Sequence, residues 1–241
     1  INVPRILADI KDYLKSNPSQ LDWNRMNIGN IGWMLIQKDQ AKYVGREVAK
    51  WDIDLQPRDK HFDTRITVKT PLVKAGAYML TATMADGNTS KIVIWINDTV
   101  LVKKQLDKKA YFFVADAVTG KPLPRINVEF FGYRQEWRQL TKHHDVLTTA
   151  FAESTDVSGQ VMPSQKDVSN NYQWLISATT PEGRLAYLGF THIWYGNYYD
   201  HEYNEAKVFT ITDRPVYRPN QPVRFKFWVR HAKYDQEDTS S

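Results

Sequence analysis

The sequence predicts an all-β protein: tandem antiparallel β-sandwiches behind a short N-terminal helix. Three observations carry that expectation. Short apolar runs are bounded by turn clusters, at Asp86-Gly87-Asn88, Thr119-Gly120-Lys121-Pro122, Asp156-Val157-Ser158-Gly159 and Thr180-Pro181-Glu182-Gly183. After the first 20 residues nothing separates the runs with a helical period, which favours antiparallel sheets over βαβ units. Aromatics are abundant, with 8 Trp, 13 Tyr and 10 Phe in 241 residues, and these side chains fill sandwich cores and binding faces.

The helix rests on Ile6, Ile10, Tyr13 and Leu14, which fall at i, i+4, i+7 and i+8, and Pro18 stops the pattern. Residues 1–20 form this segment. The stretch 27–30 reads as a turn, and Trp33–Ile36 and Ala49–Leu55 have strand character. Arg65–Lys69, Tyr78–Met84 and Lys91–Ile96 follow as strands, the last two joined by the Asp86-Gly87-Asn88 hairpin turn. A first sandwich therefore spans residues 21–105.

Lys103 to Lys109 is a basic linker by composition, although a strand pair could continue through it. A second sandwich, residues 106–206, begins at Ala110-Tyr111-Phe112-Phe113-Val114 and continues through strands at Ile126–Tyr133, Trp174–Ala178 and Leu185–Phe190. Residues 195–206 read as a second linker. The third unit, 207–241, holds Lys207–Ile211, a Pro-rich turn over 215–222, and alternation in Val223, Phe225, Phe227 and Val229. Two strands alone are marginal in water, so their apolar edges are expected to lack sandwich partners.

Composition narrows the function classes. The balance of 32 Lys+Arg against 27 Asp+Glu gives +5, too modest and too dispersed to predict a nucleic-acid partner. The absence of cysteine excludes disulfides, thiolate metal sites and Cys nucleophiles. The apolar run Ile92–Ile96 falls far short of the roughly 20 residues that cross a bilayer, so no direct membrane insertion is expected. The chain opens on Ile1 without a basic, apolar leader, and reads as an excised or processed piece.

Candidate chemistry is sparse. His143-His144-Asp145 would place its two imidazoles on opposite faces of a strand, and it reads as a solvated loop. His192, Asp200, His201 and Glu202 match no zinc spacing. Asp52 and Asp54 share the solvent face of an alternating strand, and Ser158-Gly159 is a turn with no G-x-S-x-G string. No catalytic residue, cofactor or metal is expected. Tyr187, Phe190, Trp194, Tyr195, Tyr198, Tyr199 and Tyr203 read as a core strand running into an aromatic interdomain seam. The other reading makes Trp194, Tyr195, Tyr198 and Tyr199 an interaction surface of a stand-alone tandem sandwich that recognises carbohydrate or protein.

The most specific string is Thr212-Asp213-Arg214-Pro215-Val216-Tyr217-Arg218-Pro219-Asn220-Gln221-Pro222-Val223-Arg224-Phe225-Lys226. Pro215 and Pro219 fix φ and lack N–H groups, pinning an edge or crossover. Asp213, Arg214 and Arg218 supply charge around the bend, and Tyr217 covers the sandwich end. The string resembles the opening of a macroglobulin domain in the alpha-2-macroglobulin family. Pro71–Leu80, with its Ala75-Gly76-Ala77-Tyr78 turn, and Val114–Pro124 resemble segments of the bacterial members, and Asp156–Gly159 resembles a later turn of the same domain type. Asn220 stands where the family usually has Gly, and Arg125 where a small residue is usual.

That resemblance implies fibronectin-III/immunoglobulin-like macroglobulin sandwiches in a non-catalytic scaffold segment of a bacterial endopeptidase inhibitor that traps proteases. In the family a bait segment is cleaved, and a Cys–Gln thioester in a separate helical domain makes the covalent link. Neither lies in these residues. The implied partners are the remaining domains of the parent protein and, for the parent, its target proteases. The implied location is periplasmic or extracellular.

Overall fold

A computed structural model describes residues 1–26, 38–56, 60, 65–198, 206–214 and 216–231. Its centre is a sandwich of two antiparallel sheets. One sheet contains β3 (Thr99–Leu106), β4 (Lys109–Asp116) and β7 (Gln160–Val161), in the order β3-β4-β7. The other contains β5 (Asn127–Arg138), β6 (His143–Ser154), β8 (Gln173–Thr179) and β9 (Leu185–His192), in the order β6-β5-β8-β9. Two further hairpins flank it: β1 (Gly76–Thr83) with β2 (Thr89–Ile96), and β10 (Ala206–Thr212) with β11 (Phe225–His231).

Alternation builds the core between the sheets. Ala110, Phe112 and Val114 of β4 face Val128 and Phe130 of β5 and Trp174, Ile176 and Ala178 of β8, all buried. Phe112 and Phe130 meet edge-to-face at 5.0 Å, the arrangement ring quadrupoles favour. Trp174 needs an empty place opposite it, and Gly132, its register partner, provides one. A Cβ at 132 would lie 2.8 Å from the indole ring. The indole N–H donates to Ser169 O at 2.7 Å.

The turns hold the strands by local polar bonds. Asp116 Oδ1 accepts from Val118 N and Thr119 N, at 3.1 and 2.8 Å. Asp156 Oδ1 does the same for Ser158 N and Gln160 N, at 2.8 and 2.9 Å. Gly159 follows at φ +73°, where a Cβ would sit 2.6 Å from Val114 O. Only glycine fits there.

The outer face of the four-stranded sheet is covered as well. Helix α1 (Val3–Lys15) turns Val3, Ile6, Leu7, Ile10 and Leu14 onto Phe131, Tyr133, Val146 and Leu175. Asn2 caps its start by accepting from Arg5 N at 3.1 Å. Its end turns at Asn17, φ +51°, next to the expected stop at Pro18. Lys11 reaches Glu129 on β5 at 2.7 Å. Tyr43, in a single helical turn at Gln40–Tyr43, joins the same apolar cluster, and its hydroxyl donates to Asp9 at 2.8 Å.

Several expectations change here. Lys103–Lys109 is the β3–β4 hairpin, with Leu106 paired to Lys109, so the boundary expected between residues 105 and 106 falls inside one hairpin. By strand pairing the sandwich starts at Thr99. Ala49–Leu55 and Arg65–Lys69 form no strand, and Ile53, Leu55, Ile66 and Val68 are exposed. Alternation makes a strand only where a neighbour supplies ladder bonds. Within 21–105 the described strands besides β3 are β1 and β2, and Trp33–Ile36 lies outside the described residues. His143 and His144 open β6 rather than a loop.

Candidate interaction surface

Residues 193–198, expected as part of an aromatic seam, pack back onto their own sandwich. Ile193 is buried in its core, and Tyr195 lies half-buried against the same cluster. The Tyr195 hydroxyl donates to Pro163 O at 3.1 Å. Burial, assisted by the negative charge of Asp167, pushes its pKa up to about 12. Lys108 N donates to Gly196 O, and Tyr198 N to Asp107 Oδ1, both at 3.1 Å. These bonds tie the segment to the β3–β4 turn.

Trp194 and Tyr198 remain 48% and 37% exposed. The Trp194 indole folds over Gly196, in the space a side chain there would occupy. Tyr199, His201, Glu202, Asp200 and Tyr203 lie outside the described residues. Tyr187 and Phe190 point to the other face of the sheet, under α1 and β2. Tyr187 meets Trp95 at 5.9 Å, Phe190 meets Tyr133 at 4.9 Å, and burial pushes the Tyr187 pKa up to about 12. The five described aromatics therefore do not form one surface.

An open cleft of about 800 Å³ lies where the β1–β2 hairpin joins the sandwich, with Trp95, Asp98, Thr99, Glu182, Arg184 and Tyr187 among its lining. Arg184 spans this joint. It donates to Asp98 O at 3.4 Å and to Asp116 Oδ2 at 3.3 Å. Nearby, Lys103 Nζ donates to Thr191 Oγ1 at 2.7 Å and His192 O at 2.6 Å, stitching β3 to β9, and burial lowers its pKa. Sequence reasoning missed both residues, because their partners lie 68 to 89 positions away.

The 212–226 string folds as a closed knot at the end of the β10–β11 hairpin. Asp213 is its hub: it accepts from the Tyr217 hydroxyl and, at 3.2 Å, from Arg224 N. The Tyr217 hydroxyl in turn accepts from Arg214 N at 3.2 Å, and Arg214 Nε lies 3.5 Å from Asp213 Oδ2. The bond from Tyr217 is the main cause holding the Asp213 carboxyl below its usual range. Arg218 N donates to the Gln221 side chain at 3.1 Å, and Asn220 takes φ +64°, the left-handed conformation Asn tolerates. Pro219 lies within this bend, and Pro215 is outside the described residues. Among the described residues, these bonds close the turn on itself.

His143 and His144 are also internally engaged. His143 approaches Asp145 at 3.1 Å, and His144 meets Trp137 edge-on at 4.9 Å, on the opposite face of the strand. Among the described residues, no group of three or more His, Asp or Glu side chains is placed to hold a metal ion. No described helix is long and apolar enough to cross a membrane.

No family model matches the chain, and no solved structure matches it. Over 166 residues it is 25% identical to a protein of Ralstonia nicotianae named Alpha-2-macroglobulin. The matched stretch is 69% of this chain and 9% of that protein's length.

Proposed function

We propose that this chain is a non-catalytic scaffold segment of a bacterial alpha-2-macroglobulin-like, broad-spectrum endopeptidase inhibitor that traps proteases. The observation that carries the reading is the 212–226 knot, whose charged and aromatic residues bond to one another and to the hairpin they close. The distant similarity to the Ralstonia protein adds to it. In this reading β3 to β9 form a complete macroglobulin sandwich, β1 and β2 belong to the one before it, and β10 and β11 open the next. The parent is a periplasmic or extracellular protein. Its contacts are with the remaining domains of that parent.

The intact parent protein, mixed with endopeptidases of different specificity, tests the reading. A trap is cleaved, carries the protease with it, and leaves the protease active on small peptides while shielding large proteins. Undiminished digestion of large proteins at molar excess of the parent would sink the proposal. The half-exposed rings of Trp194 and Tyr198 favour the second reading, a sandwich that binds carbohydrate or protein. Trp194→Ala abolishing an oligosaccharide-induced fluorescence change would promote it.

A further inference from the structure

The longest hairpin of the sandwich overshoots its own sheet. Strand β8 pairs with β5 from Asn127 to Tyr133, whereas β5 and β6 stay paired out to Arg138 and His143. Five residue pairs, roughly 17 Å at strand rise, therefore project past the β8 ladder as a two-stranded arm. The arm is braced. Arg134 meets Glu136 at 2.5 Å, Arg138 meets Glu136 at 3.8 Å and Asp145 at 2.6 Å, and His143 reaches Asp145 at 3.1 Å. Asn17, just past α1, accepts from Val146 N at 2.7 Å and buttresses the base.

The apex of this braced arm exposes two large apolar side chains. Leu140 is 100% exposed and Trp137 is 55% exposed. A core of this chain lies on each face of the sheet, and neither residue belongs to it. The outermost eight residues, Trp137–His144, contain Lys142 and two histidines, and Arg138 is paired with the flanking Glu136 and Asp145. A projecting tip with a leucine, a tryptophan and a lysine has the composition of a membrane-interface contact: apolar side chains enter at headgroup depth, and the cation meets anionic lipid.

We infer that the β5–β6 apex is a peripheral docking point for an anionic lipid surface, with Leu140 and Trp137 as the inserting side chains and Lys142 as the headgroup contact. The contact is interfacial and spans nothing. It does not depend on the scaffold reading.

Flotation of the 241-residue chain with phosphatidylglycerol/phosphatidylcholine vesicles, against phosphatidylcholine alone, tests this inference. The anionic vesicles are expected to bind at least tenfold more tightly. Leu140→Asp, at a fully exposed position and with an unchanged melting curve, is expected to lose tenfold or more of that affinity, and Lys142→Glu about tenfold. Phe227→Ser, in the exposed β10–β11 hairpin, is expected to bind as the parent chain does. The inference fails if the parent chain does not float with anionic vesicles, or if it binds both vesicle types equally. It fails too if Leu140→Asp binds unchanged, if Phe227→Ser is the variant that loses binding, or if the apex captures an acidic protein while ignoring the vesicles.

Discussion

Strands β8 and β11 both carry a tryptophan among aliphatic or aromatic neighbours, yet Trp174 is wholly buried and Trp228 is 40% exposed. The sheet around β8 is covered twice, by the β3-β4-β7 sheet on one side and by α1 on the other. Among the described residues nothing covers either face of the β10–β11 hairpin. Its register places Val208, Val229, Phe225 and Phe227 on one face with Thr210 and Thr212. The other face carries Phe209, Ile211 and Trp228 among Lys207, Lys226 and Arg230. The first face has the pattern of a sandwich strand awaiting its partner sheet, the second that of a solvent face. Equal strand character thus produces unequal burial, and burial supplies most of the stabilising free energy.

That contrast can be broken most sharply at the two tryptophans. Trp174→Ala is expected to cost about 3–5 kcal/mol in denaturant titrations, because the cavity opens at the centre of the core. Trp228→Ala is expected to stay within about 1 kcal/mol. Equal losses at the two positions would mean that the hairpin is packed in solution. Next in size is the outer cover: Leu14→Ala should cost about 2–4 kcal/mol and expose amides of β5 and β8 to hydrogen exchange. If the sandwich melts unchanged, α1 is an ornament rather than part of its core.

Alkaline titration sharpens the same difference. Tyr187 and Tyr195 have folded pKa values pushed up to about 12 by burial, above the value near 10 of an unfolded tyrosine. A raised pKa means the stability they supply is complete below pH 10 and is lost as pH climbs through about 12. The melting temperature should therefore fall across that window, less steeply in Tyr195→Phe. The smallest effect belongs to Asp213→Ala. It should quicken amide exchange in 213–224 and leave global unfolding within about 0.5 kcal/mol, since the knot closes only its own hairpin.

Much of the fold was legible because it is written locally. The α1 face, the turns at 86–88, 119–122, 156–159 and 180–183, and the alternation of β4, β5, β8 and β9 each follow from spacings of a few residues. Strand β6 was not legible. It is an edge strand whose Val146 faces α1 while His143 and Asp145 serve a salt bridge, so its pattern mixes apolar and polar positions on both faces. The reverse error fell on Ala49–Leu55, whose alternation has no ladder partner. Of the candidate surface, the hairpin knot was legible as structure from Pro and Asp positions. The division of the aromatics between two opposite faces was not, because Tyr187 and Tyr195 differ only in what packs over them.

The sequence by itself determined an all-β chain with one amphipathic helix, its turn chemistry, and the exclusion of cysteine chemistry. These depend on backbone preferences and side-chain periods that act within a turn or a strand. Only the tertiary structure decided that Lys103–Lys109 is a hairpin of the sandwich, that α1 roofs the four-stranded sheet, and that Gly132 exists to admit Trp174. It also decided that Trp137 and Leu140 end in solvent. The reason is that burial is a property of pairs: a residue's neighbours across a sheet or under a helix lie tens of positions away, and no local period records them.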